Sequence, residues 1–156
     1  MHTDLDPAVL AQALQLEPLP QEGGLFRRTW ANDTASAILF LLADGDFSAL
    51  HRLTADEVYV HQAGAPLDLL LLGPSGEVRS VLMGTDVRAG QIPQLAVPAG
   101  WWQGSSSAGR WTLVTTIVSP PFEWDQITMG ERDELVAAYP DAAARIRALT
   151  RVDPTD

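Results

Sequence analysis

The chain has 156 residues, 46% of them hydrophobic and 19% charged, which suits one ordinary globular domain and excludes the low-hydrophobicity composition of disorder. Its formal net charge of −10 repels phosphate backbones and anionic headgroups, so nucleic acid and membranes are poor partners. Every basic residue is arginine and cysteine is absent, which removes Schiff-base and P-loop lysines, thiol nucleophiles, thiolate metal sites and disulfides.

Met1 to Asp6 is acidic where a secretory leader is basic, and no apolar run approaches the roughly 20 residues of a membrane span. With no cysteine to protect, a cytoplasmic location is expected. His2 lies in this tail, which is expected to be flexible. Asp6-Pro7 is a helix-start signal, and Val9, Leu10, Ala13 and Leu14 follow at helical spacing until Glu17-Pro18-Leu19-Pro20 ends the run. Gly23-Gly24 then leads into Leu25 to Trp30, a segment of strand composition.

Short apolar runs alternate with turn signals from there: Ala37 to Leu42, Phe47 to Leu53, Glu57 to Gln62, Leu67 to Leu72, Val78 to Met83, Gln94 to Val97 and Trp111 to Val118. Such spacing, with no long helical pattern between the runs, predicts an antiparallel sandwich or barrel. Ser105-Ser106-Ser107 lacks a nucleophile-elbow setting and reads as a loop, and Gly73 to Gly76 has no phosphate-binding sequence. After Pro120-Pro121 the pattern turns helical. Thr128 and Glu131 form an expected capping box before Leu135, Val136 and Tyr139, and Asp141 is placed to cap a second helix carrying Ile146 and Leu149. The tail after Arg151 is expected to fray.

The stretch Gly45 to Gly64 carries the chemistry. A glycine stands six residues before His51, Glu57 stands six residues after it, and a second glycine follows seven residues later. Alternation along a strand puts Glu57, Tyr59 and His61 on one face. If that face and His51 point inward, the pocket holds two imidazoles, a carboxylate and a phenol.

These spacings resemble the first motif of the cupin superfamily, in which glycine, His-x-His, glutamate and glycine follow one another; Leu53 stands at the second histidine. The second motif, Pro-x-Gly-x-x-His, appears as Pro98-Ala99-Gly100-Trp101-Trp102-Gln103, with Gln103 at the histidine. A closer resemblance is to the small cupins of the DUF985 group. It is carried by Pro20 to Thr29, Phe47 to Tyr59, Ala63 to Leu69, Pro93 to Gln103 and Leu113 to Trp124 in the same order.

The resemblance implies a double-stranded β-helix, or jelly roll, with short helices at both ends. The barrel core is expected over about 22–127 and the closing helices over about 129–149. It also implies a homodimer, because such a barrel leaves edge strands and an outward apolar face needing cover. A divalent-metal site is implied at His51, Glu57 and Gln103, but Leu53 and Gln103 replace two of the four usual ligands. A metal-free alternative, similar to cupin-like nucleotide-sugar epimerases, pairs His51 as base with Tyr59 as acid, and Glu57 completes the candidate catalytic set.

Ligand contacts are expected from Arg27, His51, Glu57, Tyr59, His61, Trp101 and Gln103. Of the neighbours Arg27 and Arg28 only one can face inward, and Arg27 is assigned there as an anchor for an anionic group. Three functional readings stand: binding of a small polar molecule such as a sugar or nucleotide-sugar, an isomerase, epimerase or weak metal-dependent enzyme, and a noncatalytic assembly module.

Overall fold

The Asp-Pro signal produces the first helix. Asp6 accepts a hydrogen bond from the Ala8 N–H at 2.9 Å, Pro7 occupies the first turn, and α1 runs Pro7–Ala13. The computed structural model describes residues 5–152; His2 and the residues beyond 152, where fraying was expected, lie outside that range. Eleven strands follow: β1 Glu17–Pro18, β2 Leu25–Ala31, β3 Ser36–Ala43, β4 Phe47–Leu53, β5 Asp56–Gly64, β6 Leu67–Leu72, β7 Val78–Met83, β8 Gln94–Val97, β9 Trp102–Ser107, β10 Trp111–Ser119 and β11 Ile127–Met129. Helices α2, Arg132–Ala138, and α3, Ala143–Ala148, close the chain.

The strands form two antiparallel sheets, ordered β1-β2-β3-β10-β5-β8 and β11-β4-β9-β6-β7, which face each other as a jelly roll. Helix α1 covers part of the outer face of the six-stranded sheet, where Leu10 packs on Leu41, Trp111 and Leu113. Helices α2 and α3 cover the outer face of the five-stranded sheet through Leu135, Tyr139, Ile146 and Leu149.

This layering explains the unbroken run Leu69 to Leu72. Leu69 and Leu71 point into the barrel, while Leu70 and Leu72 point out beneath the closing helices. A strand buried on both faces loses its polar alternation, and each such leucine contributes about 2 kcal/mol of burial.

Several boundaries differ from the expectations. Ser105-Ser106-Ser107 belongs to β9, whose backbone pairs with β4 on one side and β6 on the other. Thr128 lies in β11, paired with Arg52, so α2 starts later than a Thr128 cap requires; Glu131 takes the cap and accepts from the Glu134 N–H at 2.9 Å. Asp141 does not cap α3, which follows a 3₁₀ turn over Pro140–Ala142.

One level of the barrel interior is filled. Phe40, Tyr59, Leu69, Leu71, Val97 and Val114 pack there between the sheets. The next level along the same strands, at Ser36, Ile38, His51, Leu53, Glu57, Thr116 and Val118, opens into a cavity.

Candidate functional site

The cavity holds about 420 Å³. Its walls are apolar: Leu19, Phe26, Ile38, Leu53, Val118, Phe122, Trp124 and Ile127. Phe122 and Trp124 meet edge to face with ring centroids 5.2 Å apart. Glu17, Arg27 and Arg28, all exposed, border the mouth. The deep end carries His51, Glu57, Glu22 and Thr116.

Each deep residue is placed by its backbone. Alternation along β4 turns His51 and Leu53 inward, and the tight Thr54-Ala55 connection brings Glu57 of β5 to the same cavity. His51 Nδ1 lies 2.7 Å from the Ala49 carbonyl oxygen. A carbonyl only accepts, so Nδ1 carries the hydrogen and Nε2 faces Glu22 Oε1 at 3.5 Å. Glu22 Oε2 accepts from Ser48 Oγ at 2.7 Å.

Burial pushes the Glu57 carboxyl up to about 7, and the Glu22 carboxylate adds to the effect; His51 and the Thr116 and Gln103 side chains pull the other way. The opposing hydrogen-bond contribution of Thr116 is weak, because its buried hydroxyl has no well-formed partner among the described residues. Glu57 therefore samples both protonation states near neutrality, so it can accept or donate a proton at the cavity floor.

Four expected site residues, Tyr59, His61, Trp101 and Gln103, lie outside the cavity lining. Tyr59 lies at the filled level of the barrel, away from the cavity wall, and its hydroxyl donates to Gln103 Oε1. Burial, then the Glu57 and Glu22 carboxylates, hold that phenol well above its usual range. His51, Glu57 and Glu22 thus line the cavity directly, while Tyr59 borders the same carboxylates from the filled level, through Gln103.

His61 is carried past the cavity along β5, where its Nε2 donates to the Ala65 carbonyl at 3.0 Å. Trp101 packs against the filled core, its ring close over Gly73.

Arg27 is corrected by register. It pairs with Leu39 and reaches the Leu14 carbonyl at 3.4 Å, on the side facing α1. Arg28 pairs with Ile38 on the inward face and donates to the Phe122 carbonyl at 3.1 Å. Both border the mouth, but Arg28 holds the inward position.

The four cupin ligand positions converge in outline, since His51 pairs with Gln103 across β4 and β9 while Leu53 and Glu57 line the cavity. Their chemistry does not make a metal centre. Leu53 has no donor atom, and Gln103 commits its oxygen to Tyr59. Among the described residues no three His, Cys, Asp or Glu side chains gather in a metal-holding arrangement.

Glu22 is the ionisable site residue that sequence reasoning missed, along with Thr116 and the aromatic wall of Phe26, Phe122 and Trp124. Glu22 sits in a turn with Gln21, Gly23 and Gly24 at positive φ, and that turn brings its carboxylate beneath β4. An acidic residue next to a double glycine was the available signal; its partner His51 is remote along the chain.

Comparison with known proteins agrees with this architecture. Residues 8–130 match the family described as Cupin superfamily (DUF985). Protein SO0799 from Shewanella oneidensis is 34% identical, with a TM-score of 0.89 over 96% of this chain and 99% of that one. A hypothetical protein from Leishmania major is 28% identical, with a TM-score of 0.87 over 95% of this chain and 100% of that one.

A cupin 2 conserved barrel domain protein from Rhodopseudomonas palustris shares the fold at 14% identity, with a TM-score of 0.62 over 88% of this chain and 90% of that one. No curated protein matches the sequence at a significant level. With the family match spanning most of the chain, and with a jelly roll whose cavity keeps the cupin histidine and glutamate at His51 and Glu57, the chain belongs to the DUF985 family of the cupin superfamily.

Proposed function

We propose that this chain binds a small polar molecule in the barrel cavity. The polar end meets His51 and Glu57, and the body lies against Phe26, Phe122 and Trp124. The observation that carries this reading is an ionisable cluster, His51, Glu57 and Glu22, at the deep end of a mostly apolar cavity. Burying ionisable groups costs free energy, and the buried Thr116 hydroxyl beside them has no partner among the described residues, so a ligand that offers hydrogen bonds there recovers part of that cost.

A volume of about 420 Å³ suits a sugar or part of a nucleotide-sugar, whose ring faces can lie on the aromatic walls. Arg28 at the inward side of the mouth supplies a partner for an anionic group such as a phosphate.

A thermal-shift panel of sugars, sugar phosphates and nucleotide-sugars tests the reading. The best compound is then titrated into His51→Ala and Glu57→Gln. Affinity should fall at least about tenfold in each, on the scale of one lost charge-assisted hydrogen bond. Unchanged affinity in both variants sinks the site.

A second reading, acid/base catalysis on the same ligand class, is favoured by one specific observation: a carboxyl held near 7 in the cavity that also holds His51. It assigns the proton transfers to Glu57 and His51 rather than to Tyr59. A rate profile with a limb near pH 7 that Glu57→Gln abolishes supports it, and turnover that survives in Glu57→Gln contradicts it.

A further inference from the structure

The Arg151 guanidinium ties together three segments far apart in sequence. Its Nη2 reaches the Phe47 carbonyl at 2.7 Å, the Glu22 carbonyl at 3.1 Å and Asp46 Oδ1 at 3.1 Å. The guanidinium carbon stands 3.9 Å from the centroid of the Phe47 ring. Asp46 continues the link, accepting from the Gly24 N–H at 2.8 Å through its other oxygen.

The turn is shaped to receive this arginine. Gly23 adopts φ +100°, and a Cβ there would lie 2.0 Å from Arg151 Nη2 and 2.4 Å from the Phe47 oxygen. Next to Arg151, Leu149 accepts from the Leu50 N–H at 2.8 Å, so the end of the described chain is docked on the strand that carries His51.

The bonds at Glu22 then run from this clasp to the cavity. Its carbonyl takes Arg151 and the Ala49 N–H, the latter at 2.8 Å. Its carboxylate takes Ser48 Oγ and faces His51 Nε2. We propose that Arg151 is a positioning residue: by clasping the Gln21–Gly24 turn against Phe47, it holds the Glu22 carboxylate at the His51 and Glu57 end of the cavity.

Arg151 lies beyond residue 130, where the family match ends, so this clasp is a feature of the closing segment. The proposal concerns the same cavity as the binding reading, but it makes its own claim about the ligand-free protein. The two can therefore fail separately.

The test follows the Glu57 carboxyl by ¹³C NMR titration in the full, ligand-free chain. The groups acting on that carboxyl are His51 from β4, Glu22 from the turn, Thr116 from β10 and Gln103 from β9, with the Tyr59 phenol beside it on β5; Arg27, Arg28 and Glu17 border the mouth. Glu22→Gln should lower the Glu57 midpoint by about one pH unit, because it removes a like charge from the site.

Arg151→Ala should move the midpoint in the same direction by at least about half as much. In the Glu22→Gln background Arg151→Ala should add nothing. A wild-type midpoint in Arg151→Ala overturns the proposal, and so does a shift that persists in the Glu22→Gln background, which would mark general water entry instead. Should Arg151→Ala fail to fold, Arg151→Lys carries the same test, keeping the charge but losing the fork.

Discussion

Glu57→Gln replaces a buried carboxyl that titrates near 7 with a neutral amide of nearly the same shape. Moving a carboxyl from 4.5 to about 7 on folding corresponds to about 3 kcal/mol. The sign follows from proton counts. Between those values the folded chain keeps the Glu57 proton that the unfolded chain has released, so stability falls as pH rises through this window.

The wild type should therefore lose about 3 kcal/mol relative to Glu57→Gln between about pH 4.5 and pH 8, with most of the loss complete once Glu57 has ionised in the folded state. Urea denaturation at matched protein concentration, read by tryptophan fluorescence, measures this, because Trp111 is fully buried. With a slope of about 2 kcal/mol per molar urea, the gap between the two midpoints should change by about 1.5 M across the pH range. Midpoints that move in parallel would refute the placement of an ionisable Glu57 in the buried end of the cavity.

Other expectations follow from single contacts. Gln103→Leu strands the Tyr59 hydroxyl and should destabilise by about 1–3 kcal/mol, with Tyr59→Phe in the same chain restoring most of the loss in urea titration. Gly64→Ala forces an L side chain into φ +82°, with its Cβ 2.5 Å from the Trp111 carbonyl oxygen; a loss of about 2 kcal/mol or more should appear as a lower thermal midpoint. We also propose a homodimer formed through the outer face of the six-stranded sheet beyond α1, where Trp30 and Ile117 are exposed in one row. Sedimentation at micromolar concentration should give the dimer, and a monomer there contradicts it.

The strand positions were largely legible because the chain punctuates itself, whereas the jelly roll was implied by the resemblance to small cupins, the pattern alone leaving sandwich and barrel open. Asp44-Gly45 and Gly64 turn at positive φ where the sequence places turns, and the runs between them pair as strands. Strand β9 was illegible, since Gly104 and three serines carry none of the β-branched or aromatic signal of a strand; its pairing with β4 and β6 imposes the conformation.

His51 and Glu57 were legible through their spacing together with the resemblance to the first cupin motif, and the structure lines the cavity with both. Tyr59 shares Glu57's face, as alternation requires, but a face does not say at which level along the barrel a side chain lies. The choice between Arg27 and Arg28 turned on a one-residue register that only pairing with β3 fixes. Glu22 reaches its site through a turn held by Arg151, a contact no local pattern encodes.

The most direct measurement of the central claim is a crystal structure of the chain soaked with the best compound of the thermal-shift panel. Density should lie in the cavity, with a polar atom within hydrogen-bond distance of His51 Nε2 or the Glu57 carboxylate and the rest of the compound against Phe26, Phe122 and Trp124. Density for the compound elsewhere on the surface, with water alone between His51 and Glu57, would contradict it.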